Sequence, residues 1–150
     1  MASVFAFLHH IAAFTLVAAL ALEFVIVRGE LNVRSARQLL GIDAILGASA
    51  GVVLVAGLLR VFYFEKGASY YFSSVPFLVK ASLFVIVALL SIYPTVEFMG
   101  WRKTIREGRV PVVAADKMRR IRSILHWELA AVVVLILCAV LMARGVGALA

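Results

Sequence analysis

Charge is scarce in this sequence. Asp, Glu, Lys and Arg together make up 15% of its 150 residues, against about a quarter in a soluble globular domain. Cysteine is scarcer still. Cys138 stands alone inside an apolar run, which excludes a disulfide framework and any metal site made of cysteines only. No Lys or Arg precedes Arg28; a cleavable signal peptide begins with a basic region, so the first apolar run is expected to stay in the protein. No low-complexity stretch or internal repeat stands out. What fills the chain is apolar: 65% of the residues are hydrophobic and the mean hydropathy is +1.08. Such a chain is an integral membrane protein with no room for a second domain.

Four apolar segments use most of the length, residues 3–27, 39–64, 75–99 and 124–143. Each is near or above the ~20 residues a helix needs to cross about 30 Å of hydrocarbon. Lipid offers no partner to an open backbone, and these runs are too continuously apolar for the period-two pattern of barrel strands. The expected fold is therefore all-α, a single bundle of four transmembrane helices. Ser74 followed by Pro76 reads as the cap and first turn of the third helix, while Gly67, Gly108 and Pro111 punctuate the connections.

Basic residues fall unevenly between the two ends. Eleven lie in the first and third connections, the latter spanning residues 100–123, against Arg60, Lys66 and Arg144 near the opposite ends of the helices. The positive-inside rule then places both termini on the outer side of a bacterial inner membrane. The net charge of +7 reads as a cytoplasmic rim in contact with anionic lipid, not as a nucleic-acid surface. Trp101 and Trp127 are expected at the inner interface, with Phe62, Tyr63, Phe64, Tyr70, Tyr71 and Phe72 forming an outer aromatic belt.

Ionisable side chains inside the spans cost about 2.5–3.5 kcal/mol each on insertion scales and so mark candidate functional sites. They sort by depth. His9, His10, Lys80 and Arg60 form an outer layer, the histidines about 9–10 Å and Lys80 about 7–8 Å below the surface at 1.5 Å per residue. Glu23, Asp43, Glu97, His126 and Glu128 form an inner layer. His9 and Glu23, fourteen residues apart, lie roughly 40° apart on one helical face, whereas His10 and Glu23 are nearly opposite, so His9 is the inward histidine. Each residue also has a plainer reading. Lys80 can snorkel outward, Asp43, Glu97 and Arg102 can pair with the basic rim, and His126 with Glu128 can simply open the fourth helix.

Two neutral nitrogen ligands on facing helices hold a haem iron from both sides, and desolvation makes a neutral lysine ligand feasible. Gly47 to Gly51 and Gly57 on the second helix offer either room for a flat macrocycle or, through the Gly47/Gly51 pair, close helix packing. The segments Phe7-Leu8-His9-His10-Ile11, Phe77-Leu78-Val79-Lys80 and Arg122-Ser123-Ile124-Leu125-His126-Trp127-Glu128 resemble those of a bacterial family of small four-helix predicted membrane proteins. At greater distance the chain is similar to the HemJ-type protoporphyrinogen oxidases. That resemblance implies haem b bound by His9 and Lys80, with His10 as the fallback ligand. The sequence departs from the HemJ pattern at Leu16-Val17-Ala18-Ala19, where a large aromatic is usual, and at His126-Trp127-Glu128, which opens helix four differently.

The leading expectation is thus a membrane b-type haem protein with a redox role, acting on a porphyrin or passing electrons to a quinone. Arg60 would pair with a propionate, and Glu23, Asp43 and Glu128 would exchange protons with the cytoplasm. Two rival readings are a non-enzymatic accessory subunit docking a membrane partner, and a small proton-linked transporter acting as a homo-oligomer.

Overall fold

The computed structural model describes residues 2–64 and 73–145. Four long helices account for most of them: α1 (Ala2–Arg28), α2 (Val33–Leu59), α3 (Val75–Gly100) and α5 (Ala115–Ala143), with a short α4 (Arg102–Arg106) after α3. At 1.5 Å per residue, the 27 residues of α1 and α2 reach about 40 Å, more than the hydrocarbon thickness. All four are long and apolar enough to cross a membrane.

The helices extend beyond the apolar windows that mark them in the sequence. α2 starts at Val33, not Leu39, because Asn32 and Ser35 form a reciprocal capping box with both bonds at 2.9 Å. α5 starts at Ala115, not at residue 124. Hydropathy reports where lipid begins, whereas a helix continues into the headgroup region until something stops it. His126 and Glu128 therefore do not open a helix; they lie roughly three turns inside one. At its other end α2 gives way at Arg60 to a π-helical turn, Arg60–Phe64. Ser74 does occupy the N-cap of α3 with Pro76 in the first turn, but its side chain makes no capping bond.

Short connections make sequential helices antiparallel neighbours. α1 packs on α2 and α5, α3 packs on α5 and more lightly on α2, and the diagonal pairs α1/α3 and α2/α5 make no close backbone contact among the described residues. The bundle has two chemically distinct ends. The basic end carries the α1–α2 connection, α4 and the start of α5; the termini end carries the start of α1, the π turn and the last turns of α5.

The core lies toward the basic end. Leu20 and Val27 of α1, Leu39 and Leu46 of α2, Phe98 of α3, and Ile121, Leu125 and Val132 of α5 form one buried cluster. Ile105 of α4 folds into it, and Trp101 packs its ring 5.0 Å from that of Phe98. Trp101 is thus a core residue and not an interfacial anchor, whereas Trp127 is exposed on α5. Phe62 and Tyr63 are exposed, as an aromatic belt requires; Tyr70, Tyr71 and Phe72, like Gly67, lie outside the described residues. Outward surfaces are apolar, as on α3, where Val85, Leu89, Ile92 and Val96 form an exposed stripe at helical spacing. Such a face is stable only against lipid or another apolar surface.

Candidate functional site

The apolar seams that build the core also carry carboxyl groups into it. On α1 the inward series Leu16, Leu20, Glu23, Val27 places a glutamate where a leucine would fit; on α2 it is Leu39, Asp43, Leu46; on α5 it is Leu125, Glu128, Val132. Spacings of three and four keep each series on one helical face. Packing that face inward forces the acid in with it. Glu23 and Glu128 are 0% exposed and Asp43 is 7% exposed. The two glutamates rank among the largest wholly buried side chains of the molecule.

α3 supplies hydroxyls to the same place. Thr95 Oγ1 donates to Asp43 Oδ1 at 2.7 Å, and Ser91 Oγ donates to Glu128 Oε1. Pro94 sits buried between them and leaves the carbonyl of Leu90 without its usual helical donor. Glu23 lies within electrostatic reach of both Asp43 and Glu128. Neither of its carboxyl oxygens, nor Oε2 of Glu128, has a hydrogen-bond partner. The four long helices thus each contribute a polar group to one buried cluster.

The basic rim does not neutralise it. Lys117 pairs with Glu97 at 2.7 Å on the surface, Arg109 pairs with Glu107, and Arg122 Nε donates to the Val27 carbonyl at 2.9 Å. Arg28 lies over the Phe24 ring and Arg120 over Tyr93. Among the described residues, no basic side chain hydrogen-bonds or ion-pairs with Glu23, Asp43 or Glu128. Nor is any group of three or more His, Cys, Asp or Glu there arranged to hold a metal ion.

A second polar group lies toward the termini end. The half-buried His9 turns toward α2, where its Nδ1 lies 3.1 Å from the Val53 carbonyl oxygen. A carbonyl only accepts, so Nδ1 carries the proton, and in the neutral ring the lone pair is on Nε2. Gly57 makes room for this ring, since a Cβ there would stand 3.3 Å from His9 Cε1. Lys80 on α3 and Arg60 in the π turn lie within electrostatic reach of His9. His10 is exposed and bonds through Nδ1 to the Ala6 carbonyl of its own helix.

A family model described as "Predicted membrane protein (DUF2214)" matches residues 1–147. The chain belongs to this family. No curated protein and no solved structure matches it. Membership makes the lipid bilayer the environment of this DUF2214 chain and makes it a multi-pass membrane protein.

In this family member the structure brings Glu23, Asp43 and Glu128 together and sets Glu97 and His126 apart. Glu97 serves the rim, and the exposed His126 ring lies 6.2 Å from that of Phe24. Asp43 turns inward to Thr95 and does not join the rim. Among the described residues the Gly47/Gly51 pair is not a helix-packing contact: both residues are exposed, and a Cβ on either would meet nothing within 4 Å. Ser91 and Thr95 are the contributors that depth and charge alone do not single out. Their signal is the i, i+4 spacing of two hydroxyls on either side of a proline in an otherwise apolar helix.

Proposed function

We propose that this chain is a membrane-embedded b-type haem protein with a redox role, seated in a bacterial inner membrane with both termini outside. The observation that carries the reading is the His9 ring. Its Nδ1 is committed to the Val53 carbonyl, which orients the imidazole and leaves Nε2 as the ligating atom, the arrangement typical of metal-binding histidines. Lys80 comes from α3, the helix diagonally opposite α1, and lies within electrostatic reach of His9. The His9 ring, held through Nδ1 with Nε2 free to ligate, suits an iron porphyrin; His9 and Lys80 would hold the metal and Arg60 a propionate.

The chemistry a haem supplies is one-electron transfer, suited to oxidising a porphyrinogen or reducing a quinone. The chain itself orients the ligands, sets burial, and provides carboxyl groups for the protons that accompany the electrons. The test is the absorbance of protein purified in mild detergent from haem-replete cells, oxidised and then dithionite-reduced. Sharp reduced α and β bands that weaken or shift in His9→Ala and in Lys80→Met are expected; a featureless spectrum at full haem supply overturns the reading.

The convergence of Glu23, Asp43 and Glu128 favours a second reading, a small proton-linked transporter working as a homo-oligomer. It predicts that Glu23→Gln abolishes proton-coupled flux in proteoliposomes while leaving any haem spectrum unchanged.

A further inference from the structure

We propose that Glu23, Asp43 and Glu128, with Ser91 and Thr95, form a proton-binding site inside the bundle that is loaded from the basic end by way of Asp43. The proposal goes beyond the haem reading and stands whether or not iron is bound. It rests on three features of the cluster.

First, the carboxyls have no cationic partner among the described residues, and they are not arranged as a metal cage. Three ionised carboxylates in one apolar interior repel one another and forfeit hydration, whereas a carboxyl that has taken up a proton does neither. Both oxygens of Glu23 are wholly buried and unpartnered. A buried polar group left in that state calls for an explanation, and a group that gains and loses a proton supplies one.

Second, the hydroxyls suit proton exchange. A serine or threonine hydroxyl both donates and accepts. Thr95 and Ser91 donate to Asp43 and Glu128 as the structure stands, and the same oxygens can accept from the acids once these carry hydrogen. Loading forms an O–H bond on a carboxylate oxygen at the expense of one in a hydronium ion, which leaves as water; no electrons move.

Third, the cluster has one less enclosed edge. Asp43 and its partner Thr95 lie across the α2–α3 interface, the lighter of the two contacts that α3 makes with long helices. Asp43 alone of the three acids retains exposure. From Asp43 the nearer end of α2 is the one that starts at Val33.

The other titratable and charged groups on the surrounding helices are engaged or turned away. On α1 Arg28 covers Phe24, and on α2 Arg34 and Arg37 are exposed. On α3 Tyr93 lies under Arg120 and Glu97 pairs with Lys117. On α5 Arg122 serves the Val27 carbonyl and His126 is exposed.

The experiment is infrared difference spectroscopy of the full chain in lipid nanodiscs after a pH jump, with helicity checked by circular dichroism. A carboxylic-acid C=O band that grows as pH falls, shifts in deuterium oxide and is lost in Glu23→Gln is expected. In Asp43→Asn the Glu23 band should persist but develop more slowly after the jump. The idea fails if no such band titrates, if the band is unchanged in folded Glu23→Gln, or if added sodium at fixed pH removes it, which would make the site one for a metal cation.

Should Glu23→Gln not fold, the unsubstituted protein is treated with a hydrophobic carbodiimide, which attacks protonated carboxyls in apolar surroundings. Adducts on Glu23 or Glu128 are expected, and adducts confined to Glu30, Glu97 and Glu107 overturn the site. Absorbance of the same samples separates the two proposals, since loss of haem bands with the C=O band retained removes only the haem reading.

Discussion

The two ends of the bundle solve opposite problems. At the basic end, large aliphatic and aromatic side chains close around three acids and leave only Asp43 slightly exposed. Toward the termini end the buried residues among those described are smaller, Ala12, Ser49, Ala56, Val61 and Cys138 among them, and the basic groups His9, Arg60 and Lys80 are only partly covered. Large buried side chains around an unsatisfied polar centre stand against smaller ones beside a histidine held by a backbone carbonyl. A fold that only needed stability would put leucines at 23 and 128.

The largest expected effect tests the packing contrast. Phe98→Ala, at a fully buried position between Trp101 and the α5 seam, should cost about 3–5 kcal/mol in detergent unfolding, as large aromatic-to-alanine changes do. Val61→Ala near the termini end should cost less than half of that, and equal losses would break the comparison.

Next comes the polar centre. Glu23→Leu removes two unpartnered buried oxygens and should leave stability unchanged or raise it by about 1–3 kcal/mol. Thr95→Val, which deprives Asp43 of its donor, should lower it by about 1–2 kcal/mol. A clear loss in Glu23→Leu would mean that the carboxyl has a partner after all.

The smallest effect is at the glycines of α2. Gly51→Ala meets nothing within 4 Å and should stabilise the helix by up to about 1 kcal/mol. Gly57→Ala presses on His9 Cε1 and should gain less stability while displacing the ring, read as a shift of the His9 imidazole NMR signals. Identical behaviour of the two variants would detach Gly57 from the His9 pocket.

Much of this was legible in the residues taken in order. Continuous apolar runs in a chain with little charge admit only helices in lipid, because every backbone group must find its partner within its own segment. The 3.6-residue period distinguishes His9 from His10 and turns Glu23 the same way as His9, and the structure places both toward the bundle interior. Depth separates the histidine, arginine and lysine group from the carboxyl group by simple rise per residue.

Helical arithmetic stops at the surface of each helix. It assigns a residue a height and a face, but the rotation of one helix against the next is set by which side chains interlock, and that is a property of the assembled bundle. So Asp43, near the end of its apolar run that adjoins the basic first connection, reads equally as a surface partner until α3 brings Thr95 to it. Trp101 reads as an interfacial anchor until α4 folds over and Phe98 takes its ring. Gly47 and Gly51 read as a packing motif until α2 turns them outward. The sequence by itself determined that there are four membrane-crossing helices and which side chains are too polar to be there by accident. Only the tertiary structure decided that three of those side chains share one buried site, because three faces meet at a point only when four helices are packed around it.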